Sequence, residues 1–289
     1  GKAFLISSPA IIAAEGRWRA ARAIRQRNWF LGAILLGLAV TLSAWLGEVS
    51  IPRLVRGLPL AGDYIAGTIP CLRFDHFFAD LTYWMWGFTD WVLLLADTLL
   101  IAYVGTVLGG VVALLLSFPA AVTLAPPWVV SIIRRVLEFM RTVPTLVLAL
   151  IFVYAFGLGA FAGMLAIAVH TAGALGKLFA EEHENASLAQ MEAVRAAGGS
   201  WPAQMRFGIF PQSLPGVLSY GLLRFEINVR EASVLGIVGA GGIGEELYLA
   251  VRQFEYQDIS AILVLILATV AAIDLLCGRL RRRVLGSAA

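Results

Sequence analysis

Residues 98–133 read TLLIAYVGTVLGGVVALLLSFPAAVTLAPPWVVSII, without one charged side chain. A helix needs about 20 mostly apolar residues to cross the hydrocarbon core of a bilayer, and this run is long enough. Pro119 and the pair Pro126-Pro127 interrupt it, because proline lacks the backbone N–H that a helix interior requires. The stretch therefore predicts one membrane-spanning helix over about 91–118 and the start of another near residue 128.

The whole chain shares this apolar character. Of its 289 residues, 60% are apolar and 14% are charged, and the mean hydropathy is +0.82. Soluble proteins are nearer 45–50% apolar and about 25% charged. The composition excludes soluble, disordered and collagen-like classes. Two cysteines are too few for a disulfide framework, and we expect no bridge between Cys71 in a loop and Cys277 at the end of a span.

Further uncharged runs lie on both sides of the first one. They predict spans over 29–47, 129–156, 160–182, 211–236 and 257–280, which makes six in all. The first of these lacks a small-residue cleavage site and follows a long basic segment, so we expect a retained helix and not a signal peptide. Since lipid satisfies no backbone hydrogen bonds, the sequence predicts an all-α integral membrane protein with about six transmembrane helices.

The charges are distributed unevenly along the chain. Residues 1–28 carry a net +5 and residues 278–289 a net +4, which leaves −6 for the remainder of a chain whose net charge is +3. Basic segments beside apolar spans are typical of the cytoplasmic side of a membrane, where anionic lipid also attracts them, and they need no nucleic acid to explain them. We expect both termini in the cytoplasm and the acidic loop 48–90, with short helices around 74–86, outside.

A glycine-rich block, GAGGIG, occupies residues 239–244. It has the form G-x-G-x-x-G of a dinucleotide site, which would need a βαβ unit and an acidic residue about 20 positions later. A short amphipathic stretch and another span follow instead. We interpret Gly239, Gly241, Gly242 and Gly244 as turn or gate glycines that let the chain reverse or helices approach closely.

The segment between the fourth and fifth spans carries the most specific motif. Residues 192–198 read EAVRAAG, and Ile209-Phe210-Pro211 follows. This resembles the EAA loop of ABC-importer permeases, E-A-A-x-x-x-G followed by I-x-L-P, with Val194 and Phe210 as departures and Ile209 one residue late. Small residues would let a short helix seat in a partner groove, with Trp201 and Phe207 as apolar anchors. The coupling residues predicted within the loop 187–211 are Glu192, Ala193, Ala196, Gly198, Gly199 and Pro211.

A wider resemblance covers about residues 91–280. The segments MRTVP (140–144), AFGLG (155–159), GKLFAE (176–181) and RFEINVR (224–230) are similar to the permease of phosphonate ABC importers. The resemblance implies a type I ABC-importer permease bundle that forms a homodimer and carries an oxyanion: phosphonate, phosphite or phosphate. It also implies two copies of an ABC ATPase subunit, which hold ATP and Mg, and an extracytoplasmic solute-binding protein.

The same resemblance suggests a division of the chain. Residues 91–280 would form the permease core, preceded by an extra transmembrane helix and its loop. The other parts are a basic cytoplasmic tail (1–28), the extra helix (29–47), the extracytoplasmic loop (48–90) and a second cytoplasmic tail (281–289). The chain has no G-x-x-x-x-G-K-[ST] sequence, so we expect no ATP hydrolysis, no metal site and no cofactor on this subunit.

Charged residues inside a membrane are costly, so those of the fifth span are candidates for the translocation pathway. Arg224, Asn228 and Glu231 fall at helical spacing, and Glu226 and Arg230 form a second i, i+4 pair. Two interpretations stay open: structural ion pairs, or an arginine whose fork contacts two oxygens of the anion. The predicted pathway residues are Arg224, Glu226, Asn228 and Arg230. We expect His170 to pack or hydrogen-bond, and Arg134, Arg135 and Arg141 to lie at the interface.

Three other functions are compatible with a polytopic chain. A multispanning membrane enzyme would need a nucleophile and a base inside the bundle, and no G-x-S-x-G sequence is present. A secondary transporter often shows repeated halves, and no convincing repeat is seen. A methionine-type importer permease shares the glycine block and is the alternative within the same class.

Overall fold

A computed structural model describes residues 9–70 and 73–286 of the chain. Lys2 of the basic tail, Cys71 of the loop and residues 287–289 lie outside the described residues. Within them every regular element is a helix, and no strand is present. The predicted all-α class is confirmed.

The chain divides into two units, residues 1–63 and residues 64–289. The first unit contains α1 (Pro9–Leu46) and most of α2 (Ile51–Thr68). The helix α1 begins well before the predicted span at residue 29, so much of the basic tail is helical. From Gly16 to Leu46 it is apolar enough to cross a membrane, and no described side chain in it is buried.

The second unit begins with short elements and continues as a bundle. Its helices are α3 (Phe77–Trp84), α4 (Phe88–Ala120), α5 (Pro127–Thr142), α6 (Thr145–Phe156), α7 (Ala160–Glu184), α8 (Leu188–Ala196), α9 (Trp201–Ala203), α10 (Phe210–Leu235), α11 (Ile243–Gln253) and α12 (Tyr256–Gly286). A π-helical turn, Gln204–Ile209, joins α9 to α10. The predicted loop 48–90 is mostly helical, since α2 and α3 both fall within it.

Helix length and composition agree with the predicted spans in number. Four helices of the described chain are long and apolar enough to cross a membrane: Gly16–Leu46, Phe88–Ala120, Ala160–Glu184 and Tyr256–Gly286. Two bent helix pairs raise the number to six if each pair is one span. The helix that holds the sixth predicted span, α12, continues beyond residue 280 to Gly286 and includes the arginines assigned to the second tail.

The third predicted span, 129–156, is not one straight helix. The helices α5 and α6 meet at an angle of 85° around Val143 and Pro144. Proline has no N–H to donate and disfavours helical geometry in the residue before it, and Val143 is extended (φ −73°, ψ 121°). We call this bend the α5–α6 elbow.

Small residues hold the centre of the bundle together. A side chain at Gly109 of α4 would meet the Thr171 Cβ atom of α7 at 2.7 Å, and one at Gly173 of α7 would meet the Arg141 amide of α5 at 2.6 Å. Lipid tails are as apolar as the helix surface, so the hydrophobic effect does not drive helices together inside a membrane. Helices there associate through close backbone packing at small residues such as these. The helix α7 is therefore the central element, with α4 and α5 pressed against it.

Candidate functional site: a coupling segment and a buried polar cluster

The segment that resembles an EAA loop forms the short helix α8 and the turns that follow it. No residue of α8 is buried, and Glu192, Ala193 and Ala196 are exposed. Its inner side packs on the π-helical turn, where a side chain at Gly208 would meet the Met191 Cα atom at 2.7 Å. The helix thus presents a small-residue surface outward while it rests on the start of α10.

Two glycines end α8. Gly198 is left-handed (φ +84°), and its amide donates to the Arg195 carbonyl at 2.9 Å. The Gly199 amide donates to the Val194 carbonyl at 2.9 Å, and a side chain there would meet the Val194 Cγ1 atom at 2.6 Å. The two amides satisfy the hydrogen-bonding capacity of carbonyls in the last turn of the helix. Glycines commonly occur after a helix end for this reason. The helix α8 therefore ends at these two glycines.

The two predicted anchors face different surroundings. The Trp201 indole Nε1 donates to the Leu124 carbonyl, 3.1 Å away in the loop between α4 and α5. Phe207 is 61% exposed. Trp201 therefore joins the segment to its own bundle, and Phe207 remains on the surface. Pro211 lies in the first turn of α10, where its missing N–H costs nothing.

Just before the coupling segment, an ion pair and its hydrogen bonds connect the end of α7 to α4, to α5 and to the loop between them. Arg134 donates to the Glu184 carboxylate at 2.6 Å and to the Ala120 carbonyl at 2.9 Å. The same carboxylate accepts the Val122 amide at 2.7 Å. Arg134 thus pairs with the end of α7, and its place at the membrane interface stays a prediction; Glu184 was not predicted. Glu184 ends a charged stretch of α7 that also holds Lys177, Glu181 and Glu182, so nothing in the sequence singled it out.

Beside this cluster lies His183, which is fully buried. Its ring contacts the Ser117 hydroxyl at 3.0 Å and the Ser213 hydroxyl at 2.8 Å, and it stacks on Phe118 with centroids 4.2 Å apart. These contacts join α4, α7 and α10 at the level of the coupling segment. Movement of the segment would reach three helices through this point.

A second cluster lies deeper, around Arg224. Its Nη2 atom donates to His170 Nδ1 at 2.6 Å and lies 3.4 Å from the Glu231 Oε2 atom; its Nε atom donates to the Thr171 hydroxyl at 3.4 Å. Because arginine has only donors, His170 Nδ1 accepts, which assigns its ring proton to Nε2. Glu231 in turn accepts from the Thr145 hydroxyl at 2.9 Å. His170 is hydrogen-bonded, as expected.

Asn228 completes this cluster from the same helix. Its side-chain amide donates to the Thr106 hydroxyl at 2.7 Å and to the Thr171 hydroxyl at 2.9 Å, and it is fully buried. Its Oδ1 atom has no partner in the described structure. Asn228 and Arg224, two predicted pathway residues, are thus brought together through Thr171.

The predicted pair between Glu226 and Arg230 is wrong. Glu226 accepts from Arg281 at 2.6 Å, and Arg230 donates to Asp274 at 3.3 Å. Both partners belong to α12, which runs antiparallel beside α10. The i, i+4 rule compares residues of one helix only, whereas here the neighbouring helix supplies opposite charges to each residue. Arg281 therefore belongs to the bundle, although the sequence placed it in a tail.

The glycine block forms a turn and not a nucleotide site. No strand precedes it in the described chain, since α10 and a 3₁₀ turn (Gly236–Val238) lead into it. Gly239, Gly241 and Gly242 have φ between +76° and +80°. Gly244 lies against Ser233 and Gly236, which leaves no room for a side chain. The predicted tight turn is present.

The other end of the bundle carries a pocket beside the start of α12. It has a volume of about 590 Å³, and its lining includes Tyr83, Trp86, Glu255 and Asp258. The Trp86 indole donates to the Asp258 carboxylate at 3.0 Å. The hydrogen bond that the protonated Glu255 carboxyl donates to Asp258, together with desolvation and the nearby charges of Asp258 and Glu246, raises the pKa of Glu255. This end is therefore acidic and aromatic.

Comparison with known proteins identifies the class of this bundle. Residues 105–285 match the family described as binding-protein-dependent transport system inner membrane component. The phosphite transport system permease protein PtxC of Stutzerimonas stutzeri is 36% identical, over 86% of this chain and 87% of its own length. The phosphate-import permease protein PhnE of Mycolicibacterium smegmatis is 38% identical over 66% of this chain and 36% of its own length.

Solved structures support the same fold. An inward-facing structure of the MetNI methionine ABC transporter has a TM-score of 0.58 at 21% identity, covering 67% of this chain and 95% of that chain. A bacterial ABC transporter involved in alginate import has a TM-score of 0.58 at 15% identity and covers 92% of this chain and 99% of that chain. The chain belongs to the binding-protein-dependent transport system inner membrane component family and is the permease subunit of an ABC importer.

Proposed function

We propose that this permease carries a phosphorus oxyanion, either phosphonate, phosphite or phosphate, inward across the cytoplasmic membrane. The observation that carries the proposal is the 36% identity, over 86% of the chain, to a permease of a phosphite transport system. Arg224 gives chemical support, because a guanidinium binds two oxygens of a tetrahedral anion at once. It lies in the bundle interior beside Asn228, whose amide adds neutral donors.

Membership of the family supports an assembly of several subunits. A homodimer of this chain would offer two coupling segments, one to each of two ABC ATPase subunits, and a solute-binding protein would deliver substrate on the outer face. The exposed small residues of α8 suit insertion into a groove of an ATPase. ATP and Mg would be held by the ATPases, with no cofactor on this chain. Closure of the ATPases would then switch the pathway between inward- and outward-facing forms.

Both termini would lie in the cytoplasm. Residues 1–28 and 278–289 are basic, and six spans return the chain to its starting side. The coupling segment would share that side, whereas residues 48–90 and the pocket around Glu255 would face outward. Residues 91–280 would form the permease core, and 29–47 an additional helix.

Four residues are proposed to line the pathway: Arg224, Glu226, Asn228 and Arg230. Arg224 and Asn228 support this best, because they share one polar cluster. Arg230 is 54% exposed with a partner at 3.3 Å, so an anion could reach it from the surface. Glu226 would act through charge alone, since Arg281 already occupies its carboxylate.

A methionine substrate has weaker support. The likeness to the methionine importer is 21% in sequence and concerns the fold alone. A zwitterionic amino acid would also need partners for an ammonium group. The carboxylate nearest to Arg224, that of Glu231, already faces its guanidinium and the Thr145 hydroxyl.

Reconstituted uptake tests this proposal. Tagged permease would be purified in mild detergent with the ATPase and binding protein that accompany it, and then placed in liposomes loaded with ATP. We expect uptake of radiolabelled phosphite, methylphosphonate or phosphate, and no competition by a hundredfold excess of methionine. Uptake of methionine, or copurification without any ATPase, would refute the assignment.

A further inference from the structure

The α5–α6 elbow has few backbone hydrogen bonds of its own. The amides of Val147 and Leu148 both bond to the Pro144 carbonyl, at 2.9 and 3.1 Å, so the first turn of α6 rests on one residue beside the break. Proline offers no amide, and Val143 is extended. Beyond the packing of α5 on α7, side chains from other helices can therefore set the angle of the elbow.

Other helices contact the elbow both after and before the break at Val143 and Pro144. After the break, the Thr145 hydroxyl donates to Glu231 of α10 at 2.9 Å. Before the break, α7, the helix that carries His170, packs on the backbone of Arg141: a side chain at Gly173 would meet the Arg141 amide at 2.6 Å. The Arg224 Nη2 atom contacts residues from both of these helices: His170 Nδ1 of α7 at 2.6 Å, and the Glu231 carboxylate of α10 at 3.4–3.5 Å. One guanidinium thus closes a chain of contacts across the elbow.

Among these contacts, the one between Arg224 and Glu231 is longer than those of His170 and Thr145. Charge-assisted hydrogen bonds of arginine are normally about 2.7–2.9 Å long, whereas these are 3.4 and 3.5 Å. The Arg224 Nη1 atom makes no hydrogen bond with the described residues. The Glu231 side chain is 28% exposed, so water can solvate it if it leaves Arg224. The cluster therefore has unused donors and a displaceable acid.

We propose that this cluster is an anion-operated latch on the α5–α6 elbow: an oxyanion bound at Arg224 displaces Glu231 and thereby frees Thr145. The proposal rests on the proposed function, since it takes the anion to be the transported one. An incoming dianion competes for the same guanidinium and repels the carboxylate, which turns toward water. The Thr145 hydroxyl then loses its acceptor, and α6 can change its angle to α5. Substrate in the pathway would in this way alter the shape of the bundle.

Hydrogen exchange of the elbow amides tests the latch directly. The permease–ATPase complex in nanodiscs would be exchanged with and without 10 mM inorganic phosphite, and peptides over residues 143–150 followed by mass spectrometry. In the native chain we expect phosphite to raise exchange at Val147 and Leu148 about tenfold, the effect of losing one hydrogen bond to a charged group. Thr145→Val should show the raised exchange without phosphite, whereas Arg224→Gln should not respond to phosphite.

Two variants serve as controls. Thr145→Ser keeps the hydroxyl and should behave as the native chain. Thr142→Val removes a hydroxyl three residues away that bonds only to the Glu138 carbonyl of its own helix, and should also leave the phosphite response intact.

The outcomes separate the two proposals. If the native complex takes up phosphite but its elbow amides do not respond, the latch is refuted and the proposed function stands. If Thr142→Val raises basal exchange as much as Thr145→Val does, the hydroxyl of Thr145 has no special role and the latch is again refuted. A complex that takes up none of phosphite, methylphosphonate and phosphate refutes the proposed function itself.

Discussion

The carboxylate of Glu226 accepts a hydrogen bond from Arg281, 55 residues later in the chain, at 2.6 Å. Glu226 is 8% exposed and Arg281 30%, so this pair is largely removed from water. A shallower pair, between Arg230 and Asp274 at 3.3 Å, lies four residues further along α10. The two pairs join α10 to α12 at two depths.

The deeper pair should behave as a unit. Glu226→Gln leaves Arg281 partly buried without its acid, and we expect a loss of about 2 kcal/mol, below the value of a fully buried pair because Arg281 reaches water. Glu226→Gln combined with Arg281→Gln should recover at least half of that loss. Thermal unfolding of the four members of this cycle measures the interaction.

The exposed pair supplies the control. Replacing Arg230 by Gln and Asp274 by Asn should each cost less than Glu226→Gln does, because both side chains are more than 40% exposed on the bundle and their contact is longer, at 3.3 Å. If the deep cycle and the exposed cycle give equal interaction energies, burial does not distinguish the two pairs.

Hydropathy predicted the number of spans and their approximate bounds, because length and apolarity alone determine whether a helix can cross lipid. It did not predict the elbow at Pro144, which lies inside an uncharged run and leaves hydropathy unchanged. Nor did it find Arg281 or Glu184 as partners, since those pairs join residues on different helices. The glycine turns were predictable, because a positive φ has a residue preference of its own.

The end of α8 depends on the left-handed conformation of Gly198. Gly198→Ala should destabilise the coupling segment by about 1 kcal/mol, since a Cβ atom disfavours positive φ. Open space surrounds both this glycine and Gly62 of α2, which has no positive φ, so Gly62→Ala is the matched control. We expect ATPase copurification to fall several-fold for Gly198→Ala only.

Glu192 is exposed on the outer surface of α8 and should contact the ATPase. Glu192→Lys reverses a charge at that surface, and we expect loss of ATPase binding or of substrate-stimulated ATP hydrolysis, with the permease still folded. Pull-down and ATPase assays measure the two effects. Normal uptake by this variant would remove Glu192 from the coupling surface.

The orientation of the chain can be read with single cysteines. In a chain whose Cys71 and Cys277 are replaced by serine, cysteines at positions 20, 200 and 285 should react with a membrane-impermeant maleimide only after the cells are opened. A cysteine at position 65 should react in intact spheroplasts. If positions 65 and 200 react from the same side, the number of spans between them is wrong.

The acidic pocket beside α12 should give a pH-dependent stability. The pKa of Glu255 is raised by its hydrogen bond with Asp258 and by nearby acids. A raised pKa means that the folded state holds the proton more tightly, so its stabilisation is present at low pH and is lost as pH rises through that pKa. Asp258→Asn should therefore raise the unfolding temperature at pH 7 and leave it unchanged at pH 4.

Trp201 should separate binding of the ATPase from transmission of its movement. Its indole is a directional link between the coupling segment and the α4–α5 loop, through the Leu124 carbonyl at 3.1 Å. Trp201→Phe keeps the ring but removes the donor, so the segment still folds and still binds the ATPase. Without this hydrogen bond, movement of the ATPase would be transmitted less efficiently from the coupling segment to α4 and α5. We therefore expect several times more ATP to be hydrolysed per anion transported. Trp128→Phe is the matched control, because Trp128 is 68% exposed at the start of α5. Its indole donates no hydrogen bond to another of the described residues. An unchanged ratio of ATP to substrate in Trp201→Phe would show that movement passes to the bundle elsewhere, with the contacts of Arg134 and His183 as the remaining route.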